Sequence, residues 1–221
     1  MKSLLTIFAV LALAVLPAPN TGCASLEEVQ VQQQGKQDKP TTKPHKCKLF
    51  KPNLNGYRIV EPKEEVSVQS KISVVARLNT SEGARMGGGT AFPIRVYEKN
   101  GKYWIFFMTA HHVVHGKKID SLELFQHKQH ILSNKISGTF LKVHIVKLKK
   151  EEDIAIICVE SQRYIRPMKL ADKAPRMLQR VIAVGCPIGL PPHITEGIVS
   201  RPSFFQNSTR WLVSAPIAPG S

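Results

Sequence analysis

Between residues 71 and 160, short runs of branched and aromatic residues alternate with polar turn segments. The runs are KISVVARL (71–78), GTAFPIRVY (89–97), KYWIFFMTA (102–110), DSLELF (120–125), FLKVHIVKL (140–148) and DIAIICVE (153–160). No long 3.6-residue period accompanies them, so they read as strands. The fourth and fifth alternate polar and apolar positions, as half-buried strands do. Asn100-Gly101 separates the second from the third, and that dipeptide is a strong two-residue hairpin signal. Six short antiparallel strands predict an all-β fold with a closed barrel over residues 66–160. A break with Pro167 and Pro175 follows. RVIAVG (180–185), HITEGIVS (193–200) and RWLVSA (210–215) then predict the start of a second barrel within residues 161–221.

The first 65 residues follow a different pattern. Lys2 precedes an apolar stretch from Leu4 to Leu16, which Pro17, Pro19 and Asn20 break before the small residues Gly22, Cys23, Ala24 and Ser25. This order is that of an export signal over residues 1–25, and the apolar run is short for a membrane span. Two processing routes stay open. Gly22-Cys23-Ala24 suits cleavage before Ser25, whereas Thr21 to Ser25 resembles a bacterial lipoprotein box in which Cys23 carries the lipid, with Asn20 where leucine is usual. The destination is then the periplasm or cell envelope, with membrane attachment through a lipidated Cys23, or the medium. Residues 26–65 include EEVQVQQQGKQDKPTTKPHKCK, which lacks apolar periodicity and reads as a polar linker.

Charge adds little to this picture. The chain has 221 residues, 43% of them hydrophobic, and a net charge of +15. Its lysines and arginines are scattered, with no basic-aromatic platform or reading helix, so nucleic acid is not an expected partner. Solubility, and attraction to anionic envelope surfaces, are better uses of the charge. The four cysteines are Cys23, Cys47, Cys158 and Cys186. They form no CxxC pair, which argues against a zinc ribbon. Cys158 lies among apolar neighbours and reads as a small buried hydrophobe, while one disulfide stays open.

The chemistry-bearing segment is IFFMTAHHVVHG (105–116). His112 stands where the third predicted strand ends, and Asp153 opens the sixth, 41 residues later. Nucleophile activation needs an imidazole whose far nitrogen is held by a carboxylate, which fixes the tautomer and stabilises the cation that forms. Both residues sit at strand ends of one predicted barrel, where such side chains meet. Glu151 and Glu152 are rival carboxylates that read as solvated. His111, His112 and His115 lack an HExxH pattern or a carboxylate partner, so no metal is expected. Gly87-Gly88-Gly89 has no following GK[ST] and reads as a flexible turn beside the cleft.

In order along the chain, GGGTAFPI, FFMTAHHVV, DIAII, VIAVGCPIGLPPHITEGIVS and APIAPGS resemble the trypsin-like serine peptidases of chymotrypsin fold, especially the bacterial HtrA-like branch. The resemblance spans roughly residues 70–221 and implies two six-stranded antiparallel barrels, the second incomplete here. It assigns the general base to His112 and the orienting carboxylate to Asp153, with His111 at a variable position. The family's nucleophile occurs in P-G-x-S-G-G, whereas this chain reaches Pro219-Gly220-Ser221. Ser221 thus falls on the x, and Gly220 on the residue whose backbone N–H forms half of the oxyanion hole. The nucleophile is then expected beyond residue 221, and the 221-residue chain alone is expected to be inactive. The resemblance implies a peptide or protein substrate and no cofactor. Two alternatives remain: a cysteine at the nucleophile position, or a non-catalytic peptide-binding, chaperone-like relative.

Overall fold

The computed structural model describes residues 49–61, 72–128, 131–201 and 211–220. Its larger sheet contains β1 (Arg58–Ile59), β2 (Ala76–Glu82), β3 (Arg85–Lys99), β4 (Lys102–Ala110), β5 (Lys118–Lys128), β6 (Ile131–Phe140), β7 (His144–Lys149) and β8 (Ile154–Ser161). Hydrogen bonds link them in the order β6-β5-β2-β3-β4-β8-β7, with β1 on the outer half of β3. All these ladders are antiparallel. A smaller antiparallel sheet has the order β11-β10-β9, from β9 (Arg180–Gly185), β10 (His193–Arg201) and β11 (Leu212–Val213).

Alternation explains how the larger sheet folds. Val96 pairs with Ile105 and Ile105 with Val159, so three strands place branched side chains in one row. Phe107 opposite Ile157, and Leu78 opposite Leu122, add parallel rows, and all of these side chains are buried. Burying one such side chain stabilises the fold by roughly 1.5–3 kcal/mol. Phe140 on β6 and Ile145 and Leu148 on β7 pack against the same core, so both ends of the strand path curl round one interior. The described ladders do not include one joining β6 to β7.

Several elements differ from the sequence expectation. The first strand begins at Ala76 rather than residue 71, because residues 72–75 form a turn closed by the Val75 N–H on Ile72 O at 3.0 Å. Val75 instead joins a second cluster with Phe92, Met168 and Cys186, where the two sheets meet. The predicted strand 140–148 divides at residues 141–143, and Phe140 ends an additional strand, β6. Gly87-Gly88-Gly89 is not a turn. The three glycines pair with Thr80, Asn79 and Leu78 inside β3. A Cβ on Gly88 would lie 2.5 Å from Leu78 O, so the bare backbone answers a close approach.

Residues 49–61, which composition assigns to the linker, lie along the larger sheet. The Phe50 N–H donates to Ile145 O at 2.7 Å, and the Phe50 ring stacks on His144 at 4.0 Å. Arg58 and Ile59 pair with Glu98 and Tyr97. A few apolar residues suffice because the backbone ladder supplies the rest, and a window of average composition does not register them. The Asn100-Gly101 hairpin forms as expected, with φ of 51° and 74° closing Lys99 against Lys102.

Candidate active site

His112 is placed by a single helical turn, α1 (His111–Val114), directly after β4. Val113 and Val114 are buried and hold that turn against the core. Gly89 on β3 makes the approach possible, since a Cβ there would lie 2.8 Å from Val113 Cγ2. The other partner comes from the tight turn before β8, where the Asp153 N–H donates to Lys150 O at 3.1 Å. Asp153 has φ +54°, a left-handed conformation that aspartate tolerates better than most residues. The ladder pairing Ala110 with Ile154 brings the two turns side by side, and the His111 N–H donates to Asp153 O at 3.0 Å.

The carboxylate then holds His112 twice. Asp153 Oδ1 accepts the His112 backbone N–H at 2.9 Å, and Oδ2 lies 2.8 Å from ring Nδ1. An ionised carboxylate only accepts, so Nδ1 carries the hydrogen and Nε2 presents its lone pair. The His112 side chain is 62% exposed and that of Asp153 21%, so the carboxylate is sheltered and the imidazole is open. Burial pushes the Asp153 carboxyl upward. The His112 backbone and ring hydrogen bonds, with the fields of His112 and His111, outweigh that and hold it below the ordinary carboxylate value.

The neighbouring candidates have other roles. His111 is buried, with its ring stacked on His115 at a centroid distance of 4.5 Å. Desolvation, helped by the His115 charge and opposed by Asp153, lowers its affinity for a proton. His111 is thus a packed ring. Glu152 is bound to Lys149 at 2.7 Å on the surface, and Glu151 is exposed. Among the described residues, no group of three or more His, Cys, Asp or Glu side chains is disposed to hold a metal ion.

The segment expected to supply the oxyanion donor meets the larger sheet at Thr90. Thr90 Oγ1 donates to Gly220 O at 2.7 Å and accepts the Cys186 N–H at 2.8 Å. The 3-10 turn Pro187–Gly189 completes the contact, with the Ile188 N–H on Pro219 O at 2.8 Å. Arg77 braces this turn from β2, donating to Gly189 O at 2.5 Å while paired with Glu123. Thr90, Gly89 and Arg77 escape a sequence reading, because their partners are up to 130 positions away. The thiols of Cys158 and Cys186 are buried and unbridged, and burial pushes each up to about 12. Cys23 and Ser221 lie outside the described residues.

Residues 89–221 match the sequence model of a family described as a trypsin-like peptidase domain. Solved structures with a similar fold include the HtrA-type protease AlgW with a tripeptide, at a TM-score of 0.51 and 20% identity, covering 69% of this chain and 46% of that one. Deg5 aligns with a TM-score of 0.50 at 22% identity over 69% of this chain and 72% of its own. The serine endoprotease from Yersinia pestis aligns with a TM-score of 0.50 at 16% identity over 72% and 52%. This chain thus spans about half the length of the AlgW and Yersinia proteins. No curated protein matches it. The family match takes in more than half of the sequence, over a fold that these proteases share, and the chain belongs to the trypsin-like peptidase family.

Proposed function

We propose that the protein is an exported serine endopeptidase that cleaves peptide bonds through an acyl-enzyme. The observation that carries this reading is the doubly held His112–Asp153 pair, with the His112 side chain exposed beside it. The nucleophile is the serine that follows the x of the family motif, adjacent to Ser221. His112 Nε2 takes the hydroxyl proton as the oxygen attacks the scissile carbonyl, and Asp153 stabilises the imidazolium. The Gly220 N–H donates to the developing oxyanion. His112 then returns the proton to the leaving amine, and a water repeats the cycle to release the acyl group. A peptide or unfolded protein is the substrate, consistent with the tripeptide of the AlgW structure. Residues 1–25 direct export, and Cys23 is the proposed anchor point.

The test uses the full-length gene product with casein and a fluorophosphonate probe. Wild type is expected to hydrolyse casein and take up the probe, and His112→Ala to lose both by several orders of magnitude. An inactive, unlabelled wild type, or a His112→Ala protein as active as wild type, overturns the assignment.

A further inference from the structure

Thr90 belongs to β3 of the larger sheet, yet its side chain serves the opposite half of the molecule. It is buried, and its own carbonyl is held by Thr109 Oγ1 at 2.8 Å. Its hydroxyl has one proton, committed to Gly220 O at 2.7 Å, and its lone pairs face the Cys186 N–H at 2.8 Å. The direction of both bonds is therefore set, because neither partner can exchange roles.

These bonds act on the peptide units either side of the Gly220 Cα. The unit before it is held through Pro219 O by the Ile188 N–H at 2.8 Å, and the unit after it through Gly220 O by Thr90. Peptide units are planar and trans, so the Gly220 N–H points opposite to Pro219 O, away from the Ile188 turn. Gly220 has φ +89°, and a Cβ there would lie 3.2 Å from both Cys186 O and Ile188 N. Glycine fits this space, but its freedom leaves the backbone direction to be fixed by its neighbours.

We propose that Thr90 is a positioning residue for the oxyanion-binding loop: its hydroxyl fixes the peptide after Gly220 from the opposite sheet, while the Ile188 N–H fixes the peptide that carries the Gly220 N–H. This rests on the peptidase reading of the same site. The substrate does not touch Thr90; the effect passes through Gly220. Loss of the hydroxyl frees the peptide after Gly220, and displacements of this size reduce turnover by roughly 10- to 100-fold.

The experiment compares Thr90→Val, which keeps the shape and removes the hydroxyl, with Thr90→Ser, which keeps the hydroxyl, in the full-length protein. Thr90→Val is expected to lower kcat about 10- to 100-fold with KM within about twofold, and Thr90→Ser to restore most of it. The Ki of a peptide aldehyde, whose adduct carries the oxyanion, should rise in parallel with the fall in kcat/KM, whereas product-peptide affinity stays constant. Wild-type kcat in Thr90→Val, or equal defects in both variants, overturns the proposal. Amide exchange at Cys186 provides a readout independent of catalysis, expected to be faster in Thr90→Val than in wild type or Thr90→Ser. Unchanged exchange overturns the Thr90 assignment whatever the activity. Faster exchange in Thr90→Val combined with an inactive wild type overturns the peptidase reading, and with it the catalytic role of Thr90, while leaving the latch itself in place.

Discussion

Replacing Asp153 by asparagine isolates what the carboxylate does for His112. Asparagine also tolerates φ +54°, so the turn before β8 keeps its shape. Its carbonyl oxygen still accepts the His112 backbone N–H, but its amide now faces ring Nδ1, where Oδ2 stood at 2.8 Å. A donor at that place requires an unprotonated Nδ1 and moves the ring hydrogen to Nε2, the atom proposed to take the nucleophile's proton. The charge is lost as well. At 2.8 Å a carboxylate attracts an imidazolium by about 6 kcal/mol at an effective dielectric of 20. Solvent on the exposed ring reduces this to about 1 kcal/mol, or roughly fivefold in rate. With the misplaced proton included, kcat is expected to fall about 10³- to 10⁴-fold, the scale of the same change in a Ser-His-Asp triad. The assay is cleavage of an internally quenched peptide by the full-length protein, beside ¹⁵N spectra of the His112 ring. An Asp153→Asn protein within tenfold of wild type, still protonated at Nδ1, would refute the orienting role.

His111→Ala should alter turnover less than tenfold, because this ring is packed against His115; the loss should appear in stability, at about 1–3 kcal/mol in urea unfolding. Gly89→Ala, which sets a methyl 2.8 Å from Val113 Cγ2, should destabilise by about 1–3 kcal/mol and lower kcat by displacing α1. Asp153 is held below its ordinary pKa, so its contribution to stability is full above the unfolded-state value, near 3.8, and disappears as pH falls through the lower folded value. The unfolding free energies of wild type and Asp153→Asn should accordingly converge in acid and separate above about pH 4. In a Gram-negative host, labelled fatty acid should enter the wild-type protein and not Cys23→Ser; an unlabelled wild type cut before Ser25 would establish the soluble route.

The elements most legible in the sequence are those whose signal is local. KYWIFFMTA coincides with β4 because its branched and aromatic run is complete within nine residues, and RVIAVG coincides with β9 as a similarly short apolar run. His112 and Asp153 were legible as a pair because each follows or precedes a strongly patterned strand, which places both at strand ends. What escaped depends on distance. Nothing around Thr90 indicates a partner at Gly220, and the triple glycine suggests a loop until Leu78 and Val113 are seen packed against it. In KISVV the apolar signal is sound but its destination is misread, since Val75 serves the cluster between the sheets. β6, with Ser133, Asn134, Ser137 and Gly138 among its ten residues, forms because β5 offers it a ladder.

The Thr90–Gly220 bond also has a consequence for the order of events during synthesis. His112 and Asp153 are 41 positions apart within one sheet, whereas Thr90 must wait for a partner 130 positions later. Contacts of long sequence separation form late, because the intervening chain must be closed before they contribute. A ribosome working at about 5–20 residues per second delivers Gly220 roughly 3–13 s after Asp153. During that interval a nascent chain holds the His112–Asp153 pair without Gly220, the proposed oxyanion donor. On the proposed peptidase reading, the centre is thereby incomplete while neighbouring unfolded chains, its own included, are most open to cleavage.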